Sequence, residues 1–202
     1  ITASLIALSQ DNLKRRLAFS TIGQLAYIIL GAALLAPKGM TGSMVHIGMH
    51  AFAKITLFFC AGAIFVATGK KYVSELAGIG KRMPVTMIAF LIGALGVVGL
   101  PPAGGFWSKF YLVWGTIESG QVVLTIVYLA SSLLNAAYFF PIVFKAFFCK
   151  PDESDLTPGI KESDRFCVAA LSVTAVGSVI LFFWPAPFFA LANMMSDQLF
   201  HP

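Results

Sequence analysis

The chain has 202 residues, of which 58% are hydrophobic and only 11% charged, with a mean hydropathy of +0.84, so a soluble globular domain is excluded and a polytopic membrane protein is expected. The net charge of +5 does not point to nucleic acid, because most Lys and Arg lie in short stretches between apolar runs, where membrane topology accounts for them. Cys60, Cys149 and Cys167 are scattered without metal-ligand spacing, and no disulfide is expected of them.

Residues 1–10 (ITASLIALSQ) are apolar but too short to span a bilayer. With no initiator Met and no signal-peptide layout, they read as the truncated end of a transmembrane helix. Residues 11–16 form a charged loop, and 17–36 the first full span, with Ser20, Thr21 and Gln24 in its first turns and Tyr27 after them. Residues 37–43 are expected to turn. Residues 45–68 (VHIGMHAFAKITLFFCAGAIFVAT) form the next span. A loop at 69–84 carries Lys70, Lys71, Lys81 and Arg82. Residues 85–100 are apolar but reach only about 24 Å as a helix. They run into Pro101, Pro102, Gly104 and Gly105, which cannot continue a regular helix. The helix resumes at 106–117 with Lys109. A long span at 122–148 contains Asn135, with Pro141 as a kink and Lys145 near its end. A polar loop at 149–165, a last span at 166–184 and a short helix or interfacial tail at 188–202 complete the chain. The expected fold class is all-α, a polytopic transmembrane helix bundle of about six hydrophobic segments with one Pro/Gly-broken helix and no sheet.

His46, His50 and Lys54 occupy positions i, i+4 and i+8 of one span. Each step of four drifts only about 40°, so the three share a stripe. Lys54 is the tenth of the 24 residues at 45–68. A charge at that depth costs roughly 2.5–3.5 kcal/mol, unless it faces a polar interior or gives up its proton. All nine acidic residues fall in loops, at helix ends or in the tail. Lys54 and Lys109 therefore lack a membrane-depth counter-ion in this sequence. They are either uncharged, partnered by acids from elsewhere, or solvated by water.

Blander roles compete with functional ones. An intramembrane His is as often a helix–helix hydrogen-bond partner as a functional group. A metal on His46 and His50 is disfavoured, because no Glu lies between them and no third ligand lies at their depth. Lys54 is a functional candidate by default. Lys109 is either interfacial or, since it follows a helix break, part of an ion site. Ser20, Thr21, Gln24 and Asn135 are expected to be packing contacts, with a water wire as the lesser alternative. No metal and no cofactor is expected.

Three stretches carry a family resemblance. DNLKRRLAFSTIGQLAYIILG, HIGMHAFAKITLFFCAG and GLPPAGGFWSK resemble, in order and spacing, motifs of the antiporter-like proton-translocating membrane subunits. That family includes the large membrane subunits of respiratory complex I, the Mrp-type cation/proton antiporters and membrane-bound hydrogenases. The resemblance covers residues 5–150, and GFWSK is more like the Mrp branch. It implies two inverted five-helix repeats, of which residues 11–148 resemble the second, followed by the loop at 149–165 and a C-terminal helix and tail at 166–202. It also implies that Lys54 is the central lysine, His50 and His46 its neighbours, Lys109 the broken-helix position and Lys14 the lysine of a Lys-Arg pair. The first repeat, with its Glu–Lys pair, is not in this sequence.

The function so implied is proton, or proton/cation, translocation through a lysine, histidine and water relay. It belongs to a subunit that is not catalytic alone, within a translocase such as NADH:quinone oxidoreductase or a non-enzymatic Mrp-type antiporter. The implied partners are the lipid bilayer, protons with Na+ or K+ as candidate exchanged ions, other membrane subunits and the missing N-terminal repeat. The implied location is a bacterial or archaeal cell membrane. The alternatives are a non-transporting scaffold that anchors other subunits, and a metalloenzyme built on His46 and His50. Loops 11–16 and 69–84 share one side with seven Lys/Arg, which favours the cytoplasm, whereas the resemblance implies the opposite side.

Overall fold

A computed structural model describes residues 1–150 and 161–200. These form eight α-helices and two short 3-10 helices, and no strand occurs among the described residues. Helix α1 is Thr2–Ser9 and α2 is Leu13–Ala33. The charged segment expected as a loop at 11–16 is thus largely the first turn of α2. The reason is a cap: the Asn12 side chain accepts the Arg15 N–H at 3.1 Å, which satisfies an otherwise orphaned donor.

Helix α3, Pro37–Thr68, runs 32 residues and ends at Gly69, whose φ of 73° suits a glycine terminator. The turn expected at 37–43 is instead the beginning of this helix. Pro37 stands at its first position, where the missing N–H costs nothing. The glycines serve close packing rather than a turn. A Cβ on Gly42 would stand 2.7 Å from the backbone N of Leu112 on the neighbouring helix. Small residues that let backbones approach are the main packing device available between helices in lipid.

Helices α4 (Pro84–Val98) and α5 (Gly105–Glu118) flank the predicted break. Between them lies residue 99, with φ 88°, and a cis Pro101–Pro102 bond. Helix α6 is Val122–Phe148, and Pro141 does not end it. Helices α7 (Arg165–Phe183) and α8 (Ala186–Phe200) complete the bundle. Within the polar loop expected at 149–165, residues 151–160 lie outside the described residues. Helices α2, α3, α6 and α7 are long and apolar enough to cross a membrane, and α4 is a shorter apolar helix. The six expected hydrophobic segments are these four helices and the two sides of the break.

Helix α3 is central and packs on α2, α4, α5, α7 and α8. Leu57, Ile64, Met87, Phe90, Phe139 and Ile142 build the largest apolar cluster. Outward faces are apolar too, as at Ile22, Leu25 and Ile29 on α2 and Val123, Ile126 and Leu133 on α6, which fits a lipid surround.

Among the described residues, Glu162, Glu118, Asp11 and Glu75 serve helix and turn N-termini. Glu162 accepts the N–H groups of Val85 and Thr86 at 2.7 and 3.3 Å and the Thr86 hydroxyl at 2.6 Å. Glu118 accepts from the Lys38 N–H at 3.1 Å. Asp11 accepts from the Ser74 N–H and hydroxyl, and Glu75 from the N–H groups of Lys71 and Tyr72. Each meets donors that helix or turn geometry leaves open.

Candidate functional site

His46, His50 and Lys54 lie on the inward stripe of α3, with relative exposures of 1%, 8% and 5%. The two imidazoles stack, their centroids 5.7 Å apart. Lys109, on α5, is 6% exposed. The predicted inward stripe is therefore present.

Each amine meets a carbonyl and a hydroxyl. Lys54 Nζ donates to Ser20 Oγ and to Leu17 O, the latter at 3.2 Å, and stands over the Phe139 ring. The same Leu17 carbonyl accepts the hydroxyls of Ser20 and Thr21 at 2.8 and 3.0 Å. Lys109 Nζ donates to Val98 O at 3.2 Å and Ser132 Oγ at 3.0 Å. The Val98 partner follows from the break: the residue four positions on is Pro102, which has no N–H to offer that carbonyl. None of these acceptors is a carboxylate.

Between the amines runs a chain of polar groups. The Tyr27 hydroxyl meets Ser132 Oγ at 3.2 Å and donates to Tyr128 O at 3.1 Å. Its ring stacks on His46 with centroids 5.9 Å apart and lies 4.5 Å from Lys109 Nζ. His46 Nδ1 meets Ser108 Oγ at 2.8 Å, and its Nε2 meets Gln24 Oε1 at 3.2 Å. The Ser108 hydroxyl also reaches Gly105 O at 3.0 Å, so the partner that takes its single proton sets the His46 tautomer. The Gln24 amide carries both an acceptor and a donor. By turning, it suits His46 with or without a proton on Nε2. Buried Gln24 Nε2, His50 Nδ1 and Asn135 Nδ2 find no partner among the described residues. Such atoms in native interiors are satisfied by water.

The remaining expected residues divide. Ser20 and Gln24 touch the row directly, and Thr21 shares the Leu17 carbonyl. Asn135 Oδ1 accepts the Tyr138 hydroxyl. Lys14 is not brought to the row; it is exposed, with its amine 4.9 Å from the Phe65 centroid. Arg16, read as a loop cation, is instead buried. Its Nε donates to Gln10 O at 2.7 Å and an Nη to Tyr138 O at 3.1 Å. Sequence reasoning assigned no role to Tyr27, Tyr128, Ser108 or Ser132. The i, i+4, i+7 spacing of Tyr128, Ser132 and Asn135 was a legible polar stripe on α6. The carbonyls of Leu17 and Val98 carry no side-chain signal. Among the described residues, no group of three or more His, Cys, Asp or Glu could hold a metal.

Residues 1–135 match the family described as NADH:quinone oxidoreductase/Mrp antiporter, TM. Similar curated proteins include the NADH-quinone oxidoreductase subunit N of Desulforudis audaxviator, 44% identical over 144 residues, covering 71% of this chain and 29% of that protein. Another is the F(420)H(2) dehydrogenase subunit N of Methanosarcina mazei, 29% identical over 198 residues, covering 94% and 40%. The chain spans less than half the length of these relatives. Among solved structures, it superposes on the Mrp complex from Dietzia sp. DQ12-45-1b with a TM-score of 0.90 at 23% identity, covering 100% of this chain and 45% of that one. Respiratory complex I from Thermus thermophilus gives 0.79 at 21% identity, covering 98% and 42%. Neither of these two sequence relatives is named as an Mrp protein. The likeness to the Mrp complex is one of fold.

Proposed function

The chain belongs to the NADH:quinone oxidoreductase/Mrp antiporter membrane family, and on that premise we propose that it moves protons across the membrane as part of a larger complex, through Lys109, His46, His50, Lys54 and bridging water. One observation carries this reading. Among the described residues, two buried amines hydrogen-bond only to hydroxyls and carbonyls, and a stacked histidine pair lies between them. Neutral acceptors leave an amine free to lose and regain a proton without stranding a buried carboxylate. Water bridges the gaps that direct hydrogen bonds do not close. Charge arriving near one amine loads or expels its proton electrostatically. Lys14 lies off this route. The partners in this reading are the bilayer, the rest of the subunit and other membrane subunits, with Na+ or K+ as candidate exchanged ions.

A scaffold role is the competing reading, and it too has an observation behind it: each amine satisfies a backbone carbonyl. Proton flux in proteoliposomes that hold the complete complex separates the two. Lys54→Ala is expected to lower flux roughly a hundredfold, the scale of a lost proton-transfer group. Lys54→Arg keeps the donor and the charge but cannot release a proton, and is expected to fail as well. Parental flux in both variants would make Lys54 structural and end the proposal.

A further inference from the structure

Where α2 begins and α3 ends, Lys14, Lys70 and Lys71 line a cavity of about 100 Å³ whose apolar wall is Leu13, Ala61 and Phe65. The Lys14 and Lys71 amines stand 4.9 and 5.2 Å from the centroid of the same Phe65 ring. Lys70 Nζ is held by Glu75 O at 2.8 Å. Among the described residues, no carboxylate lines the cavity. Two like charges gathered on one ring repel each other, and an anion between them would relieve the repulsion.

The place of the cavity narrows the kind of anion. Ala61 and Phe65 belong to the last turns of α3, so the cavity sits where an apolar span ends. Beyond Lys14, the exposed positions Ala18, Ile22, Leu25 and Ile29 follow at steps of four, four, three and four along α2. That spacing makes one continuous outward stripe. On α3, exposed Phe58 lies seven residues before Phe65, on the same face and about 10.5 Å further into the membrane. A cationic cavity thus heads an apolar lane.

We propose that this cavity binds the phosphate of an anionic phospholipid, whose acyl chain follows the lane below Lys14. Basic pockets at helix ends suit lipid phosphates, because charge and apolar surface are satisfied together. A free phosphate ion shares the charge chemistry but has no use for the lane. Neither Lys14 nor Lys71 belongs to the buried row, so the site does not depend on the proton route.

The test uses the full-length protein in its assembled complex. It is titrated with dioctanoyl phosphatidylglycerol, dioctanoyl phosphatidylcholine and inorganic phosphate, and bound molecules are counted by native mass spectrometry. Saturable phosphatidylglycerol binding is expected, weakened roughly tenfold or more in Lys14→Gln/Lys71→Gln and restored in Lys14→Arg/Lys71→Arg, with an unchanged melting temperature. Ile22→Lys, which places a charge in the lane, is expected to weaken lipid binding without creating a preference for phosphate. Equal phosphatidylglycerol affinity in the parent and the glutamine pair overturns the proposal. So does inorganic phosphate saturating the site with no preference for phosphatidylglycerol.

Discussion

Inside the bundle, Lys54 and Lys109 each hydrogen-bond one carbonyl and one hydroxyl. At the helix and turn ends, Glu162, Glu118, Asp11 and Glu75 each accept backbone N–H groups. The two regions use charge in opposite ways. A carboxylate at a helix N-terminus is held by oriented donors and the helix dipole, so its charge is favoured where it stands. A lysine among neutral acceptors has no opposite charge to hold its proton in place. Had Glu162 or Glu118 reached the amines, a fixed ion pair would occupy the interior, and breaking such a pair is strongly destabilising. Keeping the acids at the margins leaves the interior with groups able to titrate and the margins with groups that fix the helices.

Variants of the two regions should therefore separate transport from stability. The largest effect is expected for Lys109→Met in the complete complex, where proton flux should fall roughly a hundredfold, equivalent to about 2.7 kcal/mol. The melting temperature should fall only modestly, because the apolar chain of similar length keeps the packing while the Val98 carbonyl loses its amine donor, a cost of about 1–3 kcal/mol. If flux persists while the protein melts earlier, the interior is structural and the contrast collapses.

Glu162→Ala is the converse. It removes three hydrogen bonds from the start of α4 and should cost about 2 kcal/mol of stability, read as earlier thermal unfolding in detergent. Flux per folded molecule should remain at the parental level. A fall in that flux would mean that the margin also takes part in transport.

Ser108→Ala tests the link between the regions, because Ser108 bridges His46 to the Gly105 carbonyl next to the break. Loss of this hydroxyl should slow flux roughly tenfold, about 1.4 kcal/mol, with a smaller change in melting. The smallest effect belongs to Thr21→Val. The Leu17 carbonyl keeps the Ser20 and Lys54 donors without Thr21. Both flux and stability should stay within about 0.5 kcal/mol of the parent. A large flux defect there would place Thr21 in the route rather than beside it.

Much was determined by the sequence alone, namely the membrane class, the position of the break and the shared stripe of His46, His50 and Lys54. Each depends on local chemistry: apolar run length, proline's missing N–H and the 100° turn per residue. Tertiary structure decided the partners. Whether Lys54 meets Leu17 O and Ser20, or Lys109 meets Ser132, depends on how far neighbouring helices are rotated and shifted, and backbone carbonyls leave no trace in a side-chain pattern. The same holds for residues 37–43, whose glycines read locally as a turn but serve as the notch where α3 meets α5. It holds for Arg16 and Lys14 too, two residues apart on the first turn of α2. Two residues there differ by about 200° around the helix axis, so packing turns Arg16 inward to the carbonyls of Gln10 and Tyr138 and leaves Lys14 outside, over Phe65.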